Sequence, residues 1–402
     1  MEHAELGSWL RLTLTPGVGN QTARKLLAAF GLPQAVFQQS ATALRQVVSA
    51  PLAAALRSEP PELAALLETT WNWLQQSGPG SAQRRILVLG DADYPASLLA
   101  IEDPPLLLYL LGAGKFSCDP SMATQNGTPP ATHLPANSLA NSIAVVGSRN
   151  PSPQGATNAR YFAKALGQAG LTVISGLALG VDGAAHEGAL ESVEAGSVRL
   201  ATVAVVGTGL DRVYPKRHLA LAHRIAQHGL LVSEYPLGTA PLAANFPKRN
   251  RLIAGLAQGT LVVEAAVQSG SLITARLTAE QGKDVFAIPG SIHSSQARGC
   301  HALIKQGAKL VESAQDVLEE MNIRFAPTMT HDLKADGSAA QDRTDPAHRL
   351  LEVLGFDPVG LEALQARSSL ETAELQAQLM ALELDGLVAR LPGGLFQRLT
   401  PT

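Results

Sequence analysis

Short, almost continuously apolar segments alternate with helical stretches through the middle of the chain. Six such runs are evident, at 143–148 (IAVVGS), 172–176 (TVISG), 202–207 (TVAVVG), 230–235 (LLVSEY), 260–265 (TLVVEA) and 284–290 (DVFAIPG). A strand that is apolar on both faces must be buried on both, as in a sheet with helices packed on each side. The intervening segments, such as 156–170, are long enough for crossover helices. The pattern therefore predicts an α/β fold with a Rossmann-like, doubly wound, mostly parallel sheet.

Two regions with a different sequence pattern flank this predicted sheet. The first is a series of short helical segments, and the second has the pattern of three helices and a hairpin that turns at Gly393 and Gly394, as in a winged-helix domain. The predicted organisation is an N-terminal helical domain at 1–76, a core domain at 81–320, a polar linker at 321–345 and a winged-helix domain at 346–402. Within the core, the Pro-, Asn-, Ser- and Thr-rich stretch 112–141 is predicted to be an insertion of the disordered type.

Composition excludes several classes of protein. The two cysteines, Cys118 and Cys300, are too few for a disulfide framework or a cysteine-based zinc site. The opening residues contain no apolar run behind a basic flank, so no signal peptide is expected. No apolar stretch approaches the roughly 20 residues that cross a bilayer. We therefore expect a cytoplasmic protein without membrane contact, while the formal net charge of −3 decides nothing about nucleic acid because binding depends on local charge.

Small and hydroxyl-bearing residues follow the apolar runs. All strands of a parallel sheet point their carboxyl ends to one edge, and ligands bind there. The residues expected at this edge are Gly147, Ser148, Ser175, Gly176, Gly207, Thr208, Gly209, Ser233, Ser269, Gly270 and Ser271, with Thr274 in the helix that follows. Such an edge suits a backbone-lined site for phosphate oxygens at helix N-termini.

Basic residues concentrate in the same loops. They are Arg149, directly after the first run, Lys216 and Arg217 in YPKRH, and Lys248, Arg249 and Arg251 in FPKRNR. Converging guanidinium and ammonium groups can neutralise a polyanion. Phe246 beside them offers a ring for base stacking, worth ~1–3 kcal/mol per base, which favours single-stranded nucleic acid. The plainer alternative buries Phe246 in the core and makes KRNR a solvated helix start.

The chain lacks the motifs of the common nucleotide enzymes. GSRNPSPQG after the first run has the wrong spacing for a dinucleotide fingerprint, and there is no Walker A motif, so no cofactor is expected. Asp182 and His186 lie four apart on one helical face and could form an acid–base pair or hold a metal. A helix cap plus a buried, hydrogen-bonded histidine is the alternative. Because no third ligand or nucleophile accompanies them, we expect neither catalysis nor a metal site.

Three further residues are expected to play structural parts in these loops. Glu264 is a candidate to orient the SGS loop at 269–271 rather than to do chemistry. Asp211 and Tyr214, both in GTGLDRVYP, have the pattern of residues that fix a turn.

Each of the two flanking domains has features that bear on whether it contacts DNA. Gly17 and Gly19 precede an apolar-periodic helix and resemble the phosphate-contacting turn of a helix-hairpin-helix, although a plain αα-hairpin fits equally well. The predicted recognition helix of the winged-helix domain, 369–385, carries four carboxylates and no Lys or Arg. Duplex phosphates would repel such a helix, which favours protein contacts, while Arg390 and Arg398 leave backbone contact by the wing open.

Residues 86–311 contain an ordered series of motifs: GSRNPSPQG, VISGLALGVDGAAHEGAL, VVGTGLDRVYP, LLVSEYPLG, the long FPKRNR to AIPG stretch, and LIKQGA. In this order they closely resemble the DNA-processing protein A (DprA/Smf) family. It implies a homodimeric protein that binds incoming single-stranded DNA in natural transformation, loads the RecA recombinase and displaces single-strand-binding protein. It also implies that Arg149, Lys216, Phe246, Arg249 and Arg251 contact DNA, together with the SG and SGS loops.

Two positions depart from the family pattern. Family members often carry Lys where this chain has Ala243, so either Lys248 substitutes or the affinity is lower. His301 stands where Asn is usual. Two other hypotheses stay open: a nucleotide-processing enzyme of the phosphoribohydrolase type, whose PGGxGTxxE motif is missing, and an adaptor in which the end domains carry the function.

Overall fold

The computed structural model describes residues 1–76, 82–113, 139–193, 200–321, 346–368 and 370–399. Nearly all of the predicted 112–141 insertion and of the 321–345 linker lies outside these residues. Among the helices within the described ranges, none is both long enough and apolar enough to span a membrane.

The N-terminal region is helical, as the sequence predicts. Its helices are α1 (His3–Leu14), α2 (Asn20–Phe30), α3 (Pro33–Phe37), α4 (Ala41–Arg45), α5 (Ala50–Arg57) and α6 (Leu63–Gln75). A capping box between Glu2 and Glu5 starts α1, which buries Trp9 and three leucines against the other helices. Gly17 has a φ of +82°, a conformation that glycine adopts freely, and so lets the chain turn sharply into α2.

The central region is built on one large sheet. The strands are β1 (Gln83–Val88), β2 (Leu107–Gly112), β3 (Ser142–Val146), β4 (Thr172–Ser175), β5 (Thr202–Val206), β6 (Leu230–Ser233), β7 (Gly259–Val262), β8 (Asp284–Ala287) and β9 (Lys309–Leu310). In the described part of the chain their order is β1-β2-β6-β5-β4-β3-β7-β8-β9. Strands β1 and β2 pair antiparallel to each other and β2 pairs antiparallel to β6, whereas all other neighbours are parallel.

Helices cover both faces of this sheet. They are α7 (Ala96–Leu99), α8 (Pro153–Gln168), α9 (Val181–Glu191), α10 (Leu219–His228), α11 (Asn245–Leu256), α12 (Ser271–Glu280), α13 (Arg298–Lys305) and α14 (Ala314–Glu320). One face packs against α8, α9, α10 and α14, and the other against α7, α11, α12 and α13. The apolar runs are therefore buried from both sides, and the predicted doubly wound α/β fold is confirmed.

The strand order reverses between β3 and β7. From β3 the chain winds outward through β4, β5 and β6, and α11 then returns it to β7 on the other side of β3. The loops after β3 and β7 consequently diverge and leave a crevice at the carboxyl edge of the sheet.

The C-terminal region is a small winged-helix domain. It consists of α15 (Pro346–Leu354), β10 (Val359–Gly360), α16 (Leu361–Ser368), α17 (Thr372–Leu384), β11 (Val388–Leu391) and β12 (Leu395–Arg398). The predicted hairpin is β11–β12, and β10 adds a short strand that the sequence pattern did not reveal. Leu364, Leu375, Leu379 and Phe396 are among the residues of a separate apolar core.

The crossing of α8 and α9 depends on Gly188. A methyl group at this position would collide with the backbone carbonyl of Arg160, which cannot rotate away. We predict that Gly188→Ala lowers the free energy of unfolding by about 1–3 kcal/mol, measured by urea denaturation.

Gly7→Ala is the matched control, because Gly7 also lies in a helix. A methyl group added at Gly7 would have a Leu67 methyl group as its nearest neighbour, at 3.2 Å. This flexible contact can yield, and the better helix propensity of Ala adds up to about 1 kcal/mol. Equal urea midpoints for the two variants would contradict the proposed tight crossing.

Candidate nucleic-acid interface

A cleft of about 640 Å³ opens at the carboxyl edge of the sheet where the strand order reverses. We call it the switch-point cleft. Its lining includes Gly147, Ser148, Arg149, Asn150, Asp182, Tyr214, Ala243, Phe246, Arg249, Asn250, Ser269, Gly270, Ser271 and Thr274. These residues come from five separate stretches of the sequence, so only the fold brings them together.

The loop after β3 is held in place by the loop after β7. The Ser148 amide donates to the Glu264 carbonyl at 2.7 Å, and a Cβ at Gly147 would lie only 2.8 Å from the same oxygen. The Glu264 carboxylate accepts from the amide of Ser152 at 2.8 Å and from its hydroxyl at 2.5 Å. Glu264 thus orients the loop after β3, whereas the sequence suggested the SGS loop. With this loop fixed, Arg149 is left exposed at the cleft.

Two aromatic rings and one guanidinium line up at the cleft mouth. The ring centroids of Tyr214 and Phe246 are 5.6 Å apart with an interplanar angle of 41°. The Arg149 Cζ atom lies 5.5 Å from the Phe246 centroid. Tyr214 is 46% exposed and Phe246 is half-buried, so part of this aromatic surface is open to a ligand. Phe246 is therefore not a fully buried core residue.

The sequence did not assign Tyr214 to the site. It was expected only to fix a turn, and that task falls to Asp211, whose carboxylate accepts from the Gly238 amide at 2.8 Å. The available signal was that Tyr214 is the aromatic residue of the YPK motif, in a chain with only 4% aromatic residues.

Arg249 forms part of the cleft floor and is almost fully buried. Its Nη1 donates to the Val205 carbonyl, and its Nη2 lies 3.8 Å from the Asp182 carboxylate. Gly176 must be glycine, because a Cβ there would overlap the guanidinium. Burial lowers the pKa of Arg249, while the carboxylate of Asp182 opposes this shift. The cleft floor thus holds a buried cation with one acidic partner.

Asp182 and His186 have separate structural partners. Burial raises the pKa of Asp182, whereas Arg249 and backbone donors oppose that shift. The His186 Nδ1 lies 2.7 Å from the Thr202 hydroxyl, which donates its own proton to the Val173 carbonyl. Nδ1 is therefore the donor, and burial lowers the pKa of His186 to about 3, so the ring is neutral. The buried, hydrogen-bonded histidine of the alternative is present, but Asp182 is not the helix cap: that residue is Gly180, and the Asp182 carboxylate accepts from the Ala178 amide at 3.3 Å.

The SGS loop leads into the N-terminus of α12 beside the cleft. The hydroxyls of Ser269 and Ser271 are 2.7 Å apart, and the Asn250 amide group donates to the Gly270 carbonyl at 3.2 Å. Asn250, which the sequence analysis missed, fixes this loop to α11. The backbone amides at the start of α12 form the kind of surface that binds phosphate.

The remaining predicted site residues lie outside the cleft lining. Ser175 is buried below the floor and donates to the Val145 carbonyl at 2.6 Å. Lys216 is exposed in a short 3-10 turn two residues from Tyr214, and Lys248 is exposed on α11. Arg251 points away from the cleft to Glu234 and Asp103. His301 contacts the Gly290 carbonyl through Nε2 at 3.0 Å.

The winged-helix domain carries more carboxylates than cations. Residues 346–402 contain four arginines, no lysine and seven carboxylates. The Arg398 guanidinium donates to the Leu351 carbonyl at 3.1 Å and lies 5.0 Å from the Phe356 ring centroid. Both wing arginines thus have partners within the domain, since the Arg390 Cζ atom lies 5.9 Å from the Phe396 ring centroid. Together with the acidic α17, this charge distribution disfavours close contact with duplex phosphates.

Fold and cleft together define a Rossmann-type α/β protein with a cationic, aromatic-edged site and a winged-helix domain. The family model described as DNA recombination-mediator protein A matches residues 131–322, and that of the DprA winged helix domain matches residues 334–394. The Smf protein of Escherichia coli strain K12 is 38% identical over 333 residues, which cover 82% of this chain and 80% of that protein. The chain therefore belongs to the DprA/Smf family.

Comparison with Streptococcus pneumoniae supports the same assignment. Its DNA processing protein DprA is 44% identical over 230 residues, covering 57% of this chain and 72% of that protein. An X-ray structure of DprA from this organism superimposes with a TM-score of 0.61 and 33% sequence identity, covering 81% of this chain and 99% of that chain. The family resemblance drawn from the motifs is confirmed.

The neutral, buried state of His186 predicts how stability depends on pH. The folded pKa of about 3 lies below the usual value of about 6.5, so the unfolded chain binds the proton more readily. This stabilisation is complete above pH 6.5 and is lost as pH falls toward 3. Gln at position 186 keeps a hydrogen-bonding group but does not titrate. Between pH 7 and pH 5, the free energy of unfolding of His186→Gln should therefore fall by about 2 kcal/mol less than that of the wild type.

Urea denaturation at several pH values measures this difference. His223→Gln on α10 is the control, because His223 is exposed. If the free energy of unfolding depends on pH in the same way in wild type and His186→Gln, then His186 is not buried in its neutral form.

Proposed function

We propose that this protein binds single-stranded DNA in the switch-point cleft and acts as a recombination mediator. The observation that carries the proposal is the alignment of Tyr214, Phe246 and Arg149 at the cleft mouth above the buried cation of Arg249. Exposed rings stack with bases whose faces are free, and in a duplex those faces are already stacked. The glycine- and serine-rich loops beside the rings offer backbone amides to phosphate oxygens.

Binding in this manner should be insensitive to sequence. Every base has a π-face, and the groups around the rings suit phosphate rather than particular base edges. Because phosphate neutralisation releases counterions, affinity should fall steeply as salt rises.

The family supports a more specific biological role. Its matching model bears the description of a recombination mediator, and relatives carry the name DNA processing protein. We infer that the protein protects incoming DNA during natural transformation, loads RecA and displaces single-strand-binding protein. We also propose that it works in the cytoplasm as a homodimer, and acts by binding rather than catalysis. The structural partners of Asp182 and His186 support this last point.

Arg149→Glu tests the central role of the cleft. Reversal of an exposed charge at the mouth should weaken binding of a fluorescent oligo-dT by about tenfold or more, because it replaces attraction by repulsion at a phosphate. Fluorescence anisotropy over a salt series measures the effect, and thermal denaturation checks that the variant is folded.

Arg276→Glu is the matched control, since Arg276 is an exposed arginine on α12 that does not line the cleft. Unchanged affinity for Arg149→Glu would remove the cleft as the DNA site. Release of a free base from a nucleoside monophosphate would instead favour the phosphoribohydrolase alternative.

Tyr214 should contribute through its ring rather than its hydroxyl. Tyr214→Ala removes a stacking surface and should reduce affinity for oligo-dT by about fivefold or more, in line with ~1–3 kcal/mol per stacked base. Tyr214→Phe keeps the ring and should bind like wild type. Equal losses in both variants would show that the hydroxyl, and not stacking, matters at this position.

A further inference from the structure

The glycine turn before α2 faces the core domain. Asn20, the first residue of α2, donates from Nδ2 to the Asp103 carboxylate at 3.1 Å and to the Glu234 carboxylate at 2.8 Å. One turn later, the Arg24 guanidinium donates to Asp103 at 3.0 Å and to the Pro104 carbonyl at 3.1 Å. The place where a helix-hairpin-helix would hold a phosphate is therefore next to two carboxylates of the protein itself.

The same two carboxylates hold Arg251 from the other side. Its Nη2 lies 2.5 Å from a Glu234 oxygen and 3.4 Å from an Asp103 oxygen. The side chains of Arg251 and Glu234 are each only 16% exposed. Three donors from two domains thus share two acceptors, and we call Asn20, Arg24, Asp103, Glu234 and Arg251 the interdomain clamp.

Helix α11 lies between the interdomain clamp and the switch-point cleft. Its first turns place Phe246 and Arg249 in the cleft lining, whereas Arg251 turns away to the clamp. The far end of the helix is also fixed, because the Lys283 ammonium donates to the carbonyls of Ala254 and Gly255 at 2.8 and 3.0 Å. The orientation of the DNA-facing side chains therefore depends on contacts made by the opposite side of the same helix.

We propose that the interdomain clamp positions α11 for DNA binding, so that the N-terminal domain raises affinity for single strands without touching them. This inference rests on the proposed function of the cleft. Asn20, Arg24, Asp103, Glu234 and Arg251 are positioning residues, and Arg251 is not a phosphate ligand. Holding Phe246 and Arg249 in place before binding removes an ordering cost that the DNA contacts would otherwise have to offset.

The positioning role of Glu234 and the direct effect of its charge predict opposite changes in DNA affinity. Glu234 follows β6 at the same edge of the sheet as the cleft, so removing its negative charge should by itself strengthen binding of a polyanion. Positioning predicts the reverse, because Gln keeps an acceptor oxygen but loses the charge that pairs with Arg251 and strengthens the hydrogen bond from Asn20. The sign of the change therefore distinguishes the two effects.

The test compares full-length Glu234→Gln, Asp103→Asn, Arg251→Gln and the double variant Glu234→Gln/Arg251→Gln. Affinity for oligo-dT should fall about three- to tenfold in Glu234→Gln, and the double variant should lose no more than either single variant, because all disrupt one network. The salt slope should stay unchanged, whereas loss of a phosphate ligand would reduce it by about 0.7. Glu280→Gln, a carboxylate paired with Arg276 on α12, is the control.

Hydrogen exchange of residues 245–256 gives a second readout in folded protein. Faster exchange in Asp103→Asn, whose side chain is 43% exposed and tolerant of substitution, is expected. If Glu234→Gln binds oligo-dT as tightly as the wild type or more tightly, the positioning role of the interdomain clamp is wrong. A lower salt slope of binding in Arg251→Gln would overturn it as well. Normal binding by Arg149→Glu would overturn the proposed function instead, so the two failures are distinguishable.

Discussion

The burial of the Arg249 guanidinium beside the Asp182 carboxylate is the interaction on which the site depends. A buried cation needs a charged partner and a carbonyl acceptor, and here they come from α9 and β5, while the cation comes from α11. The absence of a side chain at Gly176 makes room for it. One side chain thus ties the cleft floor to three elements that are far apart in sequence.

The surroundings of Arg249 keep the cleft floor from becoming too positive. Desolvation, His218 and Arg249 together lower the pKa of His186, so that the histidine stays neutral beneath the cleft. Arg149 remains exposed above it, where it can meet a phosphate. The Asp182 carboxylate offsets the charge of Arg249, which lets the two arginines share a small cleft although Arg149 acts against the charge of Arg249.

Much of the fold could be predicted because strand burial leaves a strong signal in the sequence. The apolar runs identified six of the nine strands of the described sheet, and the rule that ligands bind at the carboxyl edge placed Arg149 and Phe246 together. The other three strands, the antiparallel β1 and β2 and the two-residue β9, were not among these runs. Tyr214, Asn250 and the orienting role of Glu264 were missed, because local pattern does not say which neighbouring loop a side chain faces.

The sequence by itself determined the class of fold, most of the loops that line the cleft and the family. These follow from short-range pattern and motif order, which do not require knowledge of distant contacts. Only the tertiary structure decided which basic residues share one cleft: Arg149 and Arg249 line it, whereas Arg251 is drawn to Glu234 and Asp103. The physical reason is that Arg249 and Arg251, two residues apart on α11, point to different sides of the helix, so the partner of each charge depends on what packs against that side.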